Sequence, residues 1–434
     1  MPIQMIMSEP TLVYSPPVNE ATQRWGVYSI PRLWRDISGR LVVRFNGEQD
    51  CADLENMQRA PNLFFVSDDE GESWHESEHE YDISILQGIG SPYLRRRCGE
   101  ILAFREAPGN RPVSGVPFRK EFSHPNGEAV LHTYRWEDIP PECRRFELLR
   151  RRSPESIPEI LQTDIGFGSR ELAVNALALT DSGDYVPVSE YLKPFIFKNP
   201  YLSSPVELPD GCIAAVCCGQ SPNVADRWCS EVYLMESADG VLWKKRGDIA
   251  KITGELDALS LPFGYGGDGG EVSLAAAPDG ELLCAMRMDM SINPDIAIPF
   301  CGTMLSRSTD GGYTWTKPLP VSDSSVTPHV IALKNGITAV IYGRPGVHMI
   351  CSADNMRSFS EPYSIIGRTL WQERRSGHRD SDSKYFNSVS YCNTFVEIIS
   401  EDSFIVLYND LKYTDSDGRC HKAAFTRRIT LLPQ

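Results

Sequence analysis

Histidines, arginines, a strand tyrosine and a glycine-rich run are the parts of this 434-residue chain whose types and spacing could do chemistry. His329, in Thr327-Pro328-His329, and His348, four residues beyond Arg344, both fall beside runs of strand-forming residues. An imidazole in such a place serves either as a general acid or base or as a hydrogen-bonded core residue. His75 and His79, in WHESEHE, have i, i+4 spacing. That spacing gathers a metal only on a helix, and the segment reads as strand and turn, so a solvated acidic face is expected and no metal site. His378 lies in the charged run Arg374-Arg375-Ser376-Gly377-His378-Arg379-Asp380, which either rims a pocket with positive charge or is an exposed loop. The run GYGGDGG before Glu271 is followed by no GK[ST] and no helix, so it is not a phosphate cradle, and no cofactor is expected. Tyr265 and Trp371 fall in loops, where an aromatic face either stacks on a sugar or packs within the fold. Tyr391 opens an apolar strand, a place that suits a half-buried core tyrosine as well as a site residue.

The elements that must position these residues are strands. Short β-rich runs recur, each introduced by a tight turn: Ser38-Gly39, Cys98-Gly99, Ser182-Gly183, Asp210-Gly211, Asp279-Gly280, Asn335-Gly336 and Glu401-Asp402. The spacings suit one four-stranded blade per turn, except that Gly183 and Gly211 are only 28 residues apart. The chain is therefore expected to be all-β, a six-bladed β-propeller, with seven blades as the alternative. One domain over 1–434 is expected, with an irregular insertion around 105–165 in which PPECRRFELLRRR is a short helix or a basic surface loop. The formal net charge of -15 disfavours nucleic acid and anionic lipid as partners. No apolar run reaches membrane-spanning length, and the first residues, MPIQMIMSEPTLVYSP, lack a secretory pattern. Twelve scattered cysteines without a CxxC pair suit reduced thiols, so a cytoplasmic location is expected, with a processed extracellular form as the alternative.

Four segments repeat one pattern. Ser67–Trp74 and Ser308–Trp315 both read S-x-D-x-G-x-[ST]-W, Ser237–Trp243 is one residue shorter, and Ser352–Phe359 is a degraded copy. In each, Asp and Gly suit a tight turn and the aromatic residue suits packing beneath it. The pattern resembles the Asp-box (BNR) repeat of the sialidase, or neuraminidase, superfamily. That resemblance implies a β-propeller, and a glycosidase that clamps a carboxylate with arginines and attacks with a tyrosine assisted by glutamate.

Position by position, the resemblance implies Tyr391 as nucleophile, Glu271 as its partner and Asp53, ahead of Asp50, as acid/base. Glu271-Val272-Ser273-Leu274 leading to Arg287, and Arg344 in Tyr342-Gly343-Arg344, supply two clamp arginines. The third departs from the pattern: Ser29 stands at the arginine position in Tyr28-Ser29-Ile30-Pro31, with Arg32 or Arg35 nearby. The expectation is a glycoside hydrolase acting on a terminal, anionic sugar of a glycan or oligosaccharide, yet a poor sialidase. The alternatives are a uronic-acid-specific lyase using His348, His329 and Tyr391, and a non-catalytic carbohydrate-binding propeller.

Overall fold

The computed structural model describes residues 2–19, 27–29, 31–47, 60–79, 81, 93–105, 116–123, 129–141, 145, 147–153, 156–166, 171–179, 185–187, 201–222, 228–253, 271–289, 301–322, 326–343, 346–366 and 394–434. Six antiparallel blades follow one another along the chain, each opening with its innermost strand. Blade 1 comprises Arg32–Arg35, Leu41–Phe45, Leu63–Ser67 and His75–Glu76. Blade 2 comprises Tyr93–Arg95, Ile101–Arg105, Glu147–Arg151 and Glu159–Gln162. Blade 3 comprises Tyr201–Glu207, Ile213–Pro222, Trp228–Ser237 and Leu242–Thr253, with Asp164–Gly166 added in parallel to its last strand. Blade 4 comprises Val272–Ala276, Leu282–Asp289, Cys301–Ser308 and Leu319–Ser322. Blade 5 comprises Val326–Ala332, Thr338–Gly343, Val347–Ser352 and Tyr363–Ser364. Blade 6 comprises Phe395–Ile398, Ser403–Thr414 and Cys420–Pro433, completed by the N-terminal strand Ile3–Met7 in the register Ile3↔Pro433.

The core lies between blades. Alternate residues of one strand serve opposite interfaces: Leu282, Cys284 and Met286 face blade 3, while Leu283 and Ala285 face blade 5. Six apolar clusters fill the six junctions in turn, from the pairing of blades 1 and 2 to that of blades 6 and 1. This is why the strands read as apolar runs rather than as a clean polar–apolar alternation: both faces are buried.

The choice between six and seven blades turns on Ser182-Gly183. A seventh sheet, Lys120–Ser123, Ala129–Arg135, Glu171–Leu179 and Tyr185–Pro187, is assembled from two excursions, one inside blade 2 and one ahead of blade 3. Ser182-Gly183 lies between the last two strands of this accessory sheet, so its short spacing to Gly211 marks no abbreviated blade. The stretch 105–165 is correspondingly less irregular than expected. Glu147–Arg151, read as helix or basic loop, is a blade strand in which Leu148 is fully buried and Arg150 and Arg151 are half-buried, Arg150 pairing with Glu100 at 3.2 Å. Its charge density hid an apolar anchor.

The six first-to-second-strand turns lie at one end of the disc. In five of them a glycine with φ between +86° and +97° follows the same bond, as in Gly280 N–H to Ala277 O at 2.9 Å and Gly336 N–H to Leu333 O at 3.0 Å. Left-handed backbone of this kind is where glycine costs least. The four S-x-D segments occupy the third-to-fourth-strand turns of blades 1, 3, 4 and 5. Each closes alike: Ser67 and Ser308 donate to Asp69 and Asp310, which accept the backbone N–H groups of Ser73 and Thr314. The Ser73 hydroxyl, foremost among these donors, holds the Asp69 carboxyl down at about 2. The indole N–H groups of Trp243 and Trp315 return to the carbonyls of Gly240 and Gly312, whereas that of Trp74 reaches Thr426 of blade 6. Trp243 is fully buried and Trp74 and Trp315 are half-buried against their clusters; Phe359, expected to pack likewise, is 45% exposed.

Candidate functional site

Every innermost strand starts at the face opposite the glycine turns, so residues just ahead of these strands gather around the axis there. Four consecutive blades contribute to one chain of contacts. Glu271, immediately before the first strand of blade 4, pairs through Oε1 with Nη1 of Arg287 at 2.6 Å. Arg287 comes from the second strand of the same blade, and its backbone N–H also donates to Glu271 O at 3.0 Å. The other carboxylate oxygen, Oε2, accepts the backbone N–H of Thr327 in blade 5 at 2.7 Å. Thr394 of blade 6 donates twice to Thr327: its N–H to Thr327 Oγ1 at 2.7 Å, and its Oγ1 to Thr327 O at 2.9 Å. His329 reaches Thr394 O through Nε2 at 2.8 Å and packs edge-on to Phe395. Arg32 of blade 1 completes the series, its guanidinium 4.6 Å above the Phe395 ring.

The backbone at Thr327 is strained. Its φ is +44°, unusual for a β-branched residue and more so before a proline, which pushes the preceding residue towards extended values. The strand register shifts between Val326 and His329, so the irregularity is a bulge at the mouth of the innermost strand. Ser204, ahead of Pro205 in blade 3, repeats the arrangement with φ +48° and its own register shift. At Thr327 the consequence is visible: the turned-out N–H meets the Glu271 carboxylate.

Of the residues expected from the sequence, Glu271, Arg287, Arg32 and His329 are brought together. His329 is 2% exposed, and desolvation holds its imidazole down at about 3. A carbonyl can only accept, so the His329 contact assigns an Nε2–H imidazole, neutral at any ordinary pH. It is a bonded core histidine and is unsuited to proton transfer. His348 lies on the third strand of blade 5, two strands out from the axis, stacked on Tyr342. Its apolar setting in the sequence gave no means of ranking strands by distance from the axis. Tyr391, Arg344, Asp53, Asp50, Tyr265, Trp371 and His378 lie outside the described residues.

Ser29 is buried and holds the junction of blades 6 and 1. Asn409 donates to its carbonyl, and Lys422 Nζ lies 3.2 Å from its hydroxyl and 2.6 Å from Val27 O. Burial pushes the Lys422 ammonium down to about 7. Arg35, considered as a stand-in for the missing arginine, is instead paired with Glu70 at 2.6 Å near the glycine turns. The sequence reading missed Thr327, Thr394 and Phe395. The Thr-Pro dipeptide at the start of an apolar run, matched by Ser204-Pro205, was the available signal.

On the opposite face a crevice is lined by Asp210, Arg246, Asp279, Glu281 and Arg357. Its charges join blades to each other, as in Arg357–Glu281 at 2.7 Å and Asn355–Asp279 at 2.7 Å. Among the described residues no group of three or more His, Cys, Asp and Glu could hold a metal ion, and no helix is long and apolar enough to cross a membrane.

No family profile matches the chain, and no curated protein matches it. Among solved structures, a protein of unknown function from Dyadobacter fermentans superposes with a TM-score of 0.53 at 15% identity, over 98% of this chain and 99% of that one. A Hadza microbial sialidase gives 0.46 at 12% identity, over 93% of this chain and 66% of that one. The GH93 α-L-arabinofuranosidase of Fusarium graminearum gives 0.46 at 11% identity, over 97% of each chain. At these identities the likeness is one of fold.

Proposed function

We propose that this propeller is a glycoside hydrolase that releases a terminal sugar at the face where the innermost strands begin. The observation that carries the reading is the Glu271–Arg287 pair, held at the axis end by Thr327 and left 27% and 18% exposed. A half-exposed carboxylate beside a guanidinium, fixed by strained backbone, is the kind of arrangement that sites retain and cores avoid. The Asp-box-like turns and the resemblance to sialidase-type propellers point the same way.

In this reading Tyr391 is the nucleophile and Glu271 takes its proton, since a phenol with an ordinary pKa of about 10 needs a partnered base at neutral pH. Residue 391 is three positions before Thr394, a covalent reach of about 10 Å at most. Thr394 is bonded to Thr327, which holds Glu271. Asp53 is retained as acid/base and Arg344 as a second cation of the pocket. The lyase alternative is weakened because His329 is a buried neutral imidazole and His348 stands two strands from the axis.

The test is turnover on a panel of aryl glycosides, with products identified by NMR. Tyr391→Phe and Glu271→Gln are each expected to cut kcat by at least a hundredfold while the thermal midpoint of Tyr391→Phe moves by no more than a few degrees. Unchanged turnover in Tyr391→Phe removes that residue from the mechanism. A product absorbing in the near ultraviolet, the mark of an unsaturated uronic acid, replaces hydrolysis with elimination.

A further inference from the structure

The acid sugar expected from the sequence requires Arg287 to meet a carboxylate. Arg287 already meets one. Its Nη1 lies 2.6 Å from Glu271, so the pair carries no net charge, and a second carboxylate approaching the guanidinium also approaches a like charge. Glu271 is not placed to swing aside. Oε2 is bound to the Thr327 N–H at 2.7 Å, and that N–H is set by the bulge, by Pro328 and by the paired Thr327–Thr394 bonds. Among the described residues the other members of the cluster add no convergent cation: the Arg32 guanidinium lies over the Phe395 ring, and His329 is neutral and enclosed.

Resting on the reading of this face as a sugar site, we propose that the Glu271–Arg287 pair binds an uncharged sugar through its hydroxyls. An ionised carboxylate only accepts hydrogen bonds and a guanidinium only donates them, whereas a sugar hydroxyl does both. One hydroxyl donating to Glu271 and accepting from Arg287, or two neighbouring hydroxyls sharing those roles, satisfies an acceptor and a donor side by side. The pair thus reads hydroxyl stereochemistry and discriminates against a carboxylate at the same position. Such a site, built to hydrogen-bond hydroxyl groups, rejects an analogue that leaves its polar atoms unpaired.

The test uses the full chain and sugar pairs that differ only at C6: glucose with glucuronic acid, galactose with galacturonic acid, and mannose with mannuronic acid. Affinities are measured by titration calorimetry at pH 7, so the result does not depend on catalysis. The neutral member of at least one pair is expected to bind tenfold or more tightly than its acid. Glu271→Gln, which leaves Arg287 with an uncompensated charge, is expected to weaken that neutral sugar about tenfold and to narrow or reverse the preference. If Glu271→Gln fails to fold, the wild-type comparison decides alone. Tighter binding of the acid in any pair overturns the proposal while leaving a hydrolase intact. Neutral binding without turnover of any aryl glycoside upholds it and removes the hydrolase reading. Absence of binding by all six sugars removes both.

Discussion

A histidine enclosed on every side, bonded through Nε2 to a carbonyl and pushed down to about 3, makes its own pH signature. In the unfolded chain the same imidazole protonates near 6.5. Between those values the unfolded state binds the proton and the folded state does not, so stability falls as pH is lowered from about 6.5 towards 3, by up to about 1.4 kcal/mol per pH unit. His329→Gln removes this contribution. Denaturant midpoints at pH 7 and pH 4.5 should therefore drop less in the variant than in the wild type, even though the variant starts lower at pH 7 through lost packing. An equal drop in both proteins shows that His329 contributes nothing to the acid limb. At this scale the sequence disclosed residue types better than it disclosed their states. Glu271 and Arg287 were legible through the resemblance, in which Glu271-Val272-Ser273-Leu274 leads on to Arg287. His329 was legible as a candidate, but its enclosure by Phe395 and Thr394 depends on a neighbouring blade, 65 residues away in sequence at its hydrogen-bond partner. Thr327 was not singled out: a Thr-Pro pair marks an interrupted strand start, but it does not announce a left-handed φ or the carboxylate that the turned-out N–H meets.

At the scale of elements, the turns separate two uses of glycine. Gly336, between the first two strands of blade 5, has φ +86° and open space around an added Cβ. Gly312, in the S-x-D turn of blade 4, has φ +98°, and an added Cβ there comes 2.2 Å from Leu234 Cδ2 of blade 3. Gly71 and Gly240 show the same approach to the preceding blade, at 2.5 Å from Ile405 and 2.9 Å from Leu148. Gly336→Ala should thus cost about 1–2 kcal/mol from backbone strain alone. Gly312→Ala adds overpacking of about 1–3 kcal/mol to the same strain. Urea midpoints of the two variants measure the difference, and equal losses would mean that the Gly312 turn does not dock against blade 3. The degraded fourth copy meets this constraint differently: Asn355 and Met356 take left-handed φ values of +53° and +63°, and Asn355 compensates by bonding Asp279 and Glu281 of blade 4. Turn chemistry is local, so the sequence exposed these elements and their repeat. Glu147–Arg151 escaped because a strand with only one side chain fully buried among arginines carries little period-2 signal. The accessory sheet escaped because its two hairpins are separated by blade strands and meet only in space.

At the scale of the whole molecule, a ring of blades has one seam, where the end of the chain meets its beginning. The last blade is unfinished without the N-terminal strand, which pairs antiparallel with Cys420–Pro433 from Ile3↔Pro433 to Met7↔Ile429. Ile3, Met5 and Met7 pack on the cluster between blades 5 and 6, and Gln434 N–H reaches back to Pro2 O at 3.0 Å. The seam is fastened from its other side by Lys422 and Asn409 on Val27 and Ser29, and by the Trp74 indole on Thr426. The site depends on this closure, because Arg32 of blade 1 lies on Phe395 of blade 6 across the same junction. Deleting residues 2–7 removes a five-residue ladder and exposes one edge of the Cys420–Pro433 strand along with the apolar residues beneath it. Unpaired edges of this kind recruit other strands, so the truncated chain should self-associate at micromolar concentration where the full chain does not. Its thermal midpoint should also fall by several degrees, in proportion to the packing lost at one of six junctions. Adding a synthetic peptide of residues 1–9 in excess should restore both properties, since a strand bound only by the folded ring stabilises it by mass action. A truncated protein that melts and sediments like the full chain would show that the ring holds without its seam, and that the cluster between blades 5 and 6 is sealed by Ser403–Thr414 and Cys420–Pro433 alone.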